Sequence, residues 1–169
     1  IPTDAKFIGC GLDFGFTNDP TAALEVYQQN GELWVNELLY TTGLTNSDIF
    51  SKIRDINKHH LNFVCDSAEP KSIEELRRMG MRVEAAKKGR DSIRASIDVL
   101  RRYKINITKD STNLSKEIKQ YKWRTDKDGK TLNEPVDFNN HEIDSLRYLA
   151  LNKLSNPSSG KYAIAVGKH

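Results

Sequence analysis

The chain reads as an α/β domain: a mixed β-sheet, an antiparallel hairpin plus parallel strands, flanked by helices on both faces. Three observations predict this. An apolar stretch opens the chain and leads into two further strand-like runs with no helix between them. Asn30-Gly31 separates runs rich in Leu, Val, Tyr and Trp, the strongest short signal for a hairpin. Beyond Thr45, helical apolar spacing alternates with short apolar runs, the pattern of strands paired in parallel beneath covering helices. A doubly wound nucleotide-binding unit would need a helix directly after the first strand, and here a hairpin stands in that place.

Each element has its own justification. In Lys6 to Phe14 the period of two puts Ile8, Cys10, Leu12 and Phe14 on one face, and Gly9, Gly11 and Asp13 on the other. Thr21–Gln28 and Glu32–Tyr40 form the hairpin. Thr45-Asn46-Ser47 offers caps for a helix striped by Ile49, Phe50, Ile53 and Ile56, with His59-His60 expected as cations at its end. Leu61–Cys65 is a short buried strand ending at Asp66. Pro70 to Met79 is a helix, with Ser72 and Glu75 as a capping box and Gly80 at its C-terminus. Met81–Ala86 is a strand, followed by the basic loop Lys87-Lys88-Gly89-Arg90. Asp91 to Tyr103 is amphipathic through Ile93, Ile97 and Leu100, and Ile105–Thr108 is another short strand. Leu114, Ile118 and Tyr121 carry a further helix. Trp123 to Val136 reads as a polar hairpin or loop, and Asn139–Leu154 as a last helix striped by Ile143, Leu146, Leu149 and Ala150. The domain therefore spans 1–154, with a polar tail over 155–169.

Composition narrows the function classes. A chain of 169 residues, 37% hydrophobic, supports one core. No apolar run approaches the roughly 20 residues that cross a bilayer. The start, Ile1-Pro2-Thr3-Asp4, has no initiator Met and no signal-peptide pattern, and reads as a piece of a longer chain. Cys10 and Cys65 sit in apolar runs and suit neither a disulfide framework nor a zinc site. Net charge is only +3, but 18 Lys and Arg stand against 9 Asp and Glu between Lys71 and Lys130. A basic middle between acidic ends can hold cations and bind a polyanion, or can simply decorate solvated helices.

Three carboxylates are out of keeping with their surroundings. Asp13 lies within LDFGF, Asp66 ends FVCD, and Asp144 lies in HEIDSLRYLAL beside the apolar stripe of the last helix. Each has a plainer explanation: a turn with Gly15, a helix cap, and an ion pair with Arg147. Together they point elsewhere. If the first strand is central and the strand ending at Asp66 pairs beside it in parallel, Asp13 and Asp66 emerge together, and the last helix can bring Asp144 across. Ionised carboxylates in such a cluster repel unless cations join them. Two divalent ions about 4 Å apart relieve the repulsion and can activate water against a phosphodiester. Oxygen-only ligation suits Mg²⁺ or Mn²⁺.

G-L-D-F-G-F-T-N-D-P-T-A at Gly11–Ala22, V-C-D-S-A-E-P at Val64–Pro70 and H-E-I-D-S-L-R-Y at His141–Tyr148 resemble, in order and context, the nuclease domain of viral large terminases. These are the DNA-packaging motors of tailed bacteriophages. The resemblance implies a ribonuclease H-like fold and metal-dependent cutting of double-stranded DNA concatemers with two Mg²⁺ or Mn²⁺ ions. It implies that Asp13 bridges the ions, that Asp66 and Asp144 are further ligands, and that Asp19 is an additional acid near a metal. It also implies an ATPase domain upstream in the same parent chain, since no G-x-x-x-x-G-K-[ST] occurs here. The small terminase subunit, the portal of the procapsid and the host cell cytoplasm are its implied partners and place of work. Lys87, Lys88 and Arg90, with Arg94 one turn into the next helix, are the expected DNA phosphate contacts. His141, three residues before Asp144, reads either as a partner of the acidic cluster or as a surface histidine. The competing readings are a resolvase or transposase core of the same superfamily, and a non-catalytic DNA- or capsid-docking module.

Overall fold

The computed structural model describes residues 1–87, 89, 91–125, 127–128, 131–135 and 140–155. Strand β1 (Lys6–Asp13) pairs antiparallel with β2 (Thr21–Gln29), which pairs antiparallel with β3 (Glu32–Thr41). The turn between β2 and β3 has positive φ at both Asn30 and Gly31, the geometry that an Asn-Gly hairpin demands. Helix α1 (Asn46–Asp55) follows, then β4 (Asn62–Cys65), α2 (Pro70–Arg78), β5 (Arg82–Ala85), α3 (Ser92–Leu100), β6 (Lys104–Ile107) and α4 (Thr112–Gln120). β4 pairs parallel with β1, β5 with β4, and β6 with β3, giving the sheet order β5-β4-β1-β2-β3-β6. A small antiparallel pair, β7 (Trp123–Thr125) and β8 (Thr131–Pro135), precedes α5 (His141–Lys153). The predicted mixed sheet with helices on both faces is thus the architecture observed.

Two cores sandwich the sheet. On one face Cys10, Leu12 and Phe63 pack against Ile49 and Ile53 of α1 and Ile73 and Leu76 of α2. On the other, Leu24, Val26 and Val64 pack against α3, α4 and α5 through Val99, Leu114, Leu146 and Leu149. Both cysteines are free and buried, as expected.

Four local expectations need correction. The β1–β2 register shifts between Phe7 and Gly9, so Phe7 joins the Cys10 face and Ile8 turns to the α5 face. An extra residue in one strand reverses the alternation beyond it. Ser72 and Glu75 form no capping box: α2 starts at Pro70 after Glu69, and Glu75 instead accepts from Asn46 Nδ2 at 2.6 Å. In α3 the buried residues are Ser96, Val99 and Leu100, while Ile93 is exposed, because the helix axis is rotated relative to its isoleucine stripe. His59 and His60 do not end α1, which stops at Asp55; the His59 ring packs edge-on against Phe50. The Thr45 cap does form, closed reciprocally with Asp48.

Candidate metal centre

Two of the three carboxylates leave the sheet side by side. Leu12 and Cys65 are partners in the parallel β1–β4 register, so Asp13 and Asp66 follow at the same edge, one strand apart. β5 extends the row: Cys65 pairs with Ala85, and the Ala86 N–H donates to the Cys65 carbonyl at 2.7 Å. Lys87 therefore emerges at that same edge. Its N–H donates to Asn152 Oδ1 of α5 at 2.8 Å.

Helix α5 brings the third carboxylate. A Cβ added at Gly11 would lie 2.1 Å from the Ser145 carbonyl oxygen, so the helix backbone rests directly on β1. Ser145 Oγ also donates to the Ala22 carbonyl at 2.9 Å. This close seating lays His141, Asp144 and Tyr148, spaced three and four apart on one helix face, over the end of β1. His141 Nδ1 stands 3.2 Å from Asp13 Oδ2, and Tyr148 Oη donates to Asp13 Oδ1 at 3.3 Å.

Burial pushes the Asp13 carboxyl above the usual carboxylate range; His141 pulls it back, and the Asp66 charge pushes it further. Its hydrogen bond to Asp13 holds the His141 imidazole above its ordinary value. The Tyr148 phenol is pushed up by burial and then by the charges of Asp13, Asp144 and Asp66, so all three carboxylates act on one hydroxyl.

Other predicted residues are placed as follows. Asp19 is exposed in the β1–β2 loop, with Oδ1 3.8 Å from His141 Nε2. Gly15 keeps that loop tight, since a Cβ there would meet the Asp19 carbonyl at 2.2 Å. Arg94 is exposed on α3. Lys88 and Arg90 lie outside the described residues, as does the tail from 156 onward. A cavity of about 490 Å³ opens on the α1–α2 side of Asp19, with Phe14, Phe16, Glu69 and Glu75 in its lining. Its acidic rim disfavours a phosphate path there, in contrast to the Lys87 side.

As donors the three aspartates fit a hard divalent ion, having oxygen ligands and no thiolate. Among the described residues, however, no three His, Cys, Asp or Glu form a ready-made group round one ion position. Asp144 Oδ1 accepts from Arg147 Nη1 at 2.6 Å and from Asn140 Nδ2 at 3.2 Å. Asp66 Oδ1 accepts the Ala68 N–H at 2.9 Å. The ion pair of Asp144 with Arg147 is therefore real, whereas Asp66 closes a turn ahead of α2 and does not cap it, the N-cap being Glu69; an ion taking either oxygen would compete with these contacts.

His141 belongs to the cluster, and its reading as a surface histidine does not hold. Tyr148 and the buried Arg147 went unassigned beyond the motif and the ion pair. The signal for Tyr148 was its shared helix face with His141 and Asp144.

Comparison with known proteins gives the family and the fold. Residues 13–152 match the family described as the terminase RNase H-like domain. The chain is 32% identical over 162 residues to the large terminase subunit of Bacillus phage SPP1, an alignment covering 88% of this chain and 38% of that one. It therefore spans about two fifths of that relative. The nuclease domain of the SPP1 large terminase, solved with bound Mn, superposes with a TM-score of 0.74 at 28% identity, covering 84% of each chain. A large terminase nuclease from a thermophilic phage, solved with bound magnesium, shares the fold with a TM-score of 0.64 at 18% identity, covering 88% of this chain and 82% of that one.

Proposed function

Since the chain belongs to the RNase H-like domain family of large terminases, we propose that it is the packaging nuclease, cutting double-stranded DNA concatemers with two Mg²⁺ or Mn²⁺ ions. The observation that supports this reading is that Asp13 and Asp66 leave the paired strands β1 and β4 side by side, with His141 and Tyr148 of α5, the helix that also bears Asp144, bonded to Asp13. Asp13 would hold both ions, Asp66 and Asp144 one each, and Asp19 would approach from the loop. When bound, the ions supply an activated water and charge stabilisation for the departing 3′ oxygen.

The chain's own groups do the rest. His141 and Tyr148 fix both oxygens of Asp13, which sets the direction of its remaining lone pairs. Arg147 holds Asp144 Oδ1 at 2.6 Å, so an ion held by that oxygen would compete with the pair. Lys87 and Arg94 would meet the phosphate backbone by charge alone, giving affinity without sequence preference. By the same reading the upstream ATPase domain, the small terminase subunit and the procapsid portal are partners, and the work is done in the host cytoplasm.

The test is plasmid cleavage with Mn²⁺ and calorimetric Mn²⁺ titration of parent and Asp13→Asn. The variant is expected to keep its fold and lose cleavage by about a thousandfold or more, as when one member of a catalytic unit is removed. Undiminished cutting by Asp13→Asn would sink the assignment. A parent that binds Mn²⁺ yet cuts nothing would favour a docking module.

A further inference from the structure

Helix α5 carries two of the site's side chains in its first turn, yet has no side-chain cap of its own. Its N-cap residue, Asn140, makes no capping hydrogen bond. The Asn140 amide instead donates to Asp144 Oδ1 at 3.2 Å. This end of the helix is buried, with Asn140, Glu142 and Ile143 all within the core. A first-turn N–H at a buried residue such as Ile143 needs an acceptor from the protein.

That acceptor comes from another helix. Glu117 of α4 is 3% exposed, and its Oε2 accepts the Ile143 N–H at 3.0 Å. Ile143 is the third residue of α5, the position that an N-cap side chain normally serves. α4 is built in the same way. Its N-cap Ser111 makes no capping bond to its own helix, and Glu37 of β3 accepts the Asn113 and Leu114 N–H groups at 3.0 and 3.1 Å. Ser111 Oγ in turn accepts the Glu37 N–H at 2.7 Å. A chain of carboxylate caps thus runs from the central sheet through α4 to the first turn of α5.

We infer that Glu117 is a positioning residue for the candidate metal centre: by capping α5 from outside, it sets the first turn so that His141 meets Asp13 and Asp144 follows three residues on along the same helix face. The seating at Gly11 and Ser145 fixes the middle of α5, and Glu117 fixes its end. Loss of the acceptor lets the first turn fray, which displaces His141 and Asp144 while β1 and β4 stay in place. The inference rests on the proposed role of Asp144, and its test separates the two.

The test compares Glu117→Ala and Glu117→Gln with the parent by Ile143 amide exchange, Mn²⁺ calorimetry, and kcat and KM on linear DNA. In folded Glu117→Ala the Ile143 amide is expected to exchange faster, Mn²⁺ affinity and kcat to fall about tenfold or more, and KM for DNA to hold within about twofold. Glu117→Gln keeps an acceptor oxygen and is expected to restore affinity to within about threefold. Should Glu117→Ala not fold, Glu117→Gln decides alone. Protection at Ile143 kept together with Mn²⁺ affinity supports the inference, and Mn²⁺ bound as in the parent with that amide freely exchanging overturns it. A folded Glu117→Ala that loses thermal stability but keeps Mn²⁺ affinity and kcat also overturns it, because the role is then merely structural. If the parent itself binds no Mn²⁺, the metal reading fails while the capping role is still decided by Ile143 exchange in Glu117→Ala, faster for and unchanged against.

Discussion

Two glutamates are buried on opposite faces of the sheet, and their surroundings differ completely. Glu25, the register partner of Cys10, faces the α1–α2 core and is 4% exposed. It is fully provided for: Lys58 Nζ stands at 2.8 Å, and Asn36 Nδ2 and Tyr27 Oη each donate at 3.1 Å. Glu142 of α5 is 0% exposed, and among the described residues neither of its oxygens has a hydrogen-bond partner. Burial raises its carboxyl well above the ordinary range, and the charges of Glu37, Glu117 and Asp13 push it further. A carboxylate buried for architecture comes with its own cation and amides. On the α5 face Glu142 has no such partners among the described residues, and protonation is what relieves a carboxyl buried in that way.

Breaking the satisfied side should have the largest effect on stability. Lys58→Met leaves buried Glu25 without its cation and is expected to cost about 3 kcal/mol in urea unfolding. DNA cleavage at temperatures where the variant is folded should match the parent, and impaired cleavage would show that the two faces are not independent. The unsatisfied side should respond in the opposite direction. Glu142→Leu removes a buried acid that has no partner and is expected to stabilise the fold by about 1–3 kcal/mol. A loss of stability there would mean that Glu142 has a favourable contact, and the contrast with Glu25 would fail.

The smallest effect concerns the far end of α5, where Lys153 pairs with Glu84 of β5 at 2.5 Å. Partial burial pushes Glu84 up, but bonds from Lys153 and Asn62 outweigh it and hold the carboxyl below its ordinary value. A folded-state value below the unfolded one means stability that is present at neutral pH and is lost as pH falls through the folded value. Glu84→Gln should therefore lower stability at pH 7 by under about 1 kcal/mol, the range for a solvent-accessible pair, and by nothing in strong acid. A deficit that persists after acidification would assign the effect to packing instead.

Much of this arrangement was legible beforehand because it rests on local chemistry. Asn30-Gly31 admits few turns other than the one observed, and Thr45 ahead of a helical apolar stripe suits an N-cap. The alternation of helix and strand after the hairpin leaves little choice of sheet. Asp13 and Asp66 were recognisable because an acid at the end of an apolar strand is costly without a purpose. The errors lie where one residue changes a phase. The shift between Phe7 and Gly9 turned Ile8 to the opposite face, and the rotation of α3 exposed Ile93. Neither is encoded in hydrophobic spacing, because both answer to the neighbouring strand or helix.

The sequence by itself determined the elements, their order, the mixed sheet and the three acids out of keeping with their surroundings, since propensity, turn geometry and desolvation act over a few residues. Only the tertiary structure decided which groups those acids meet. That His141 and Tyr148 hold Asp13, and that Glu117 caps the helix bearing them, depend on contacts between residues 26 to 135 positions apart. Hydrogen bonds and charge coupling depend on distance in space, and chain order does not supply that distance until the helix is seated.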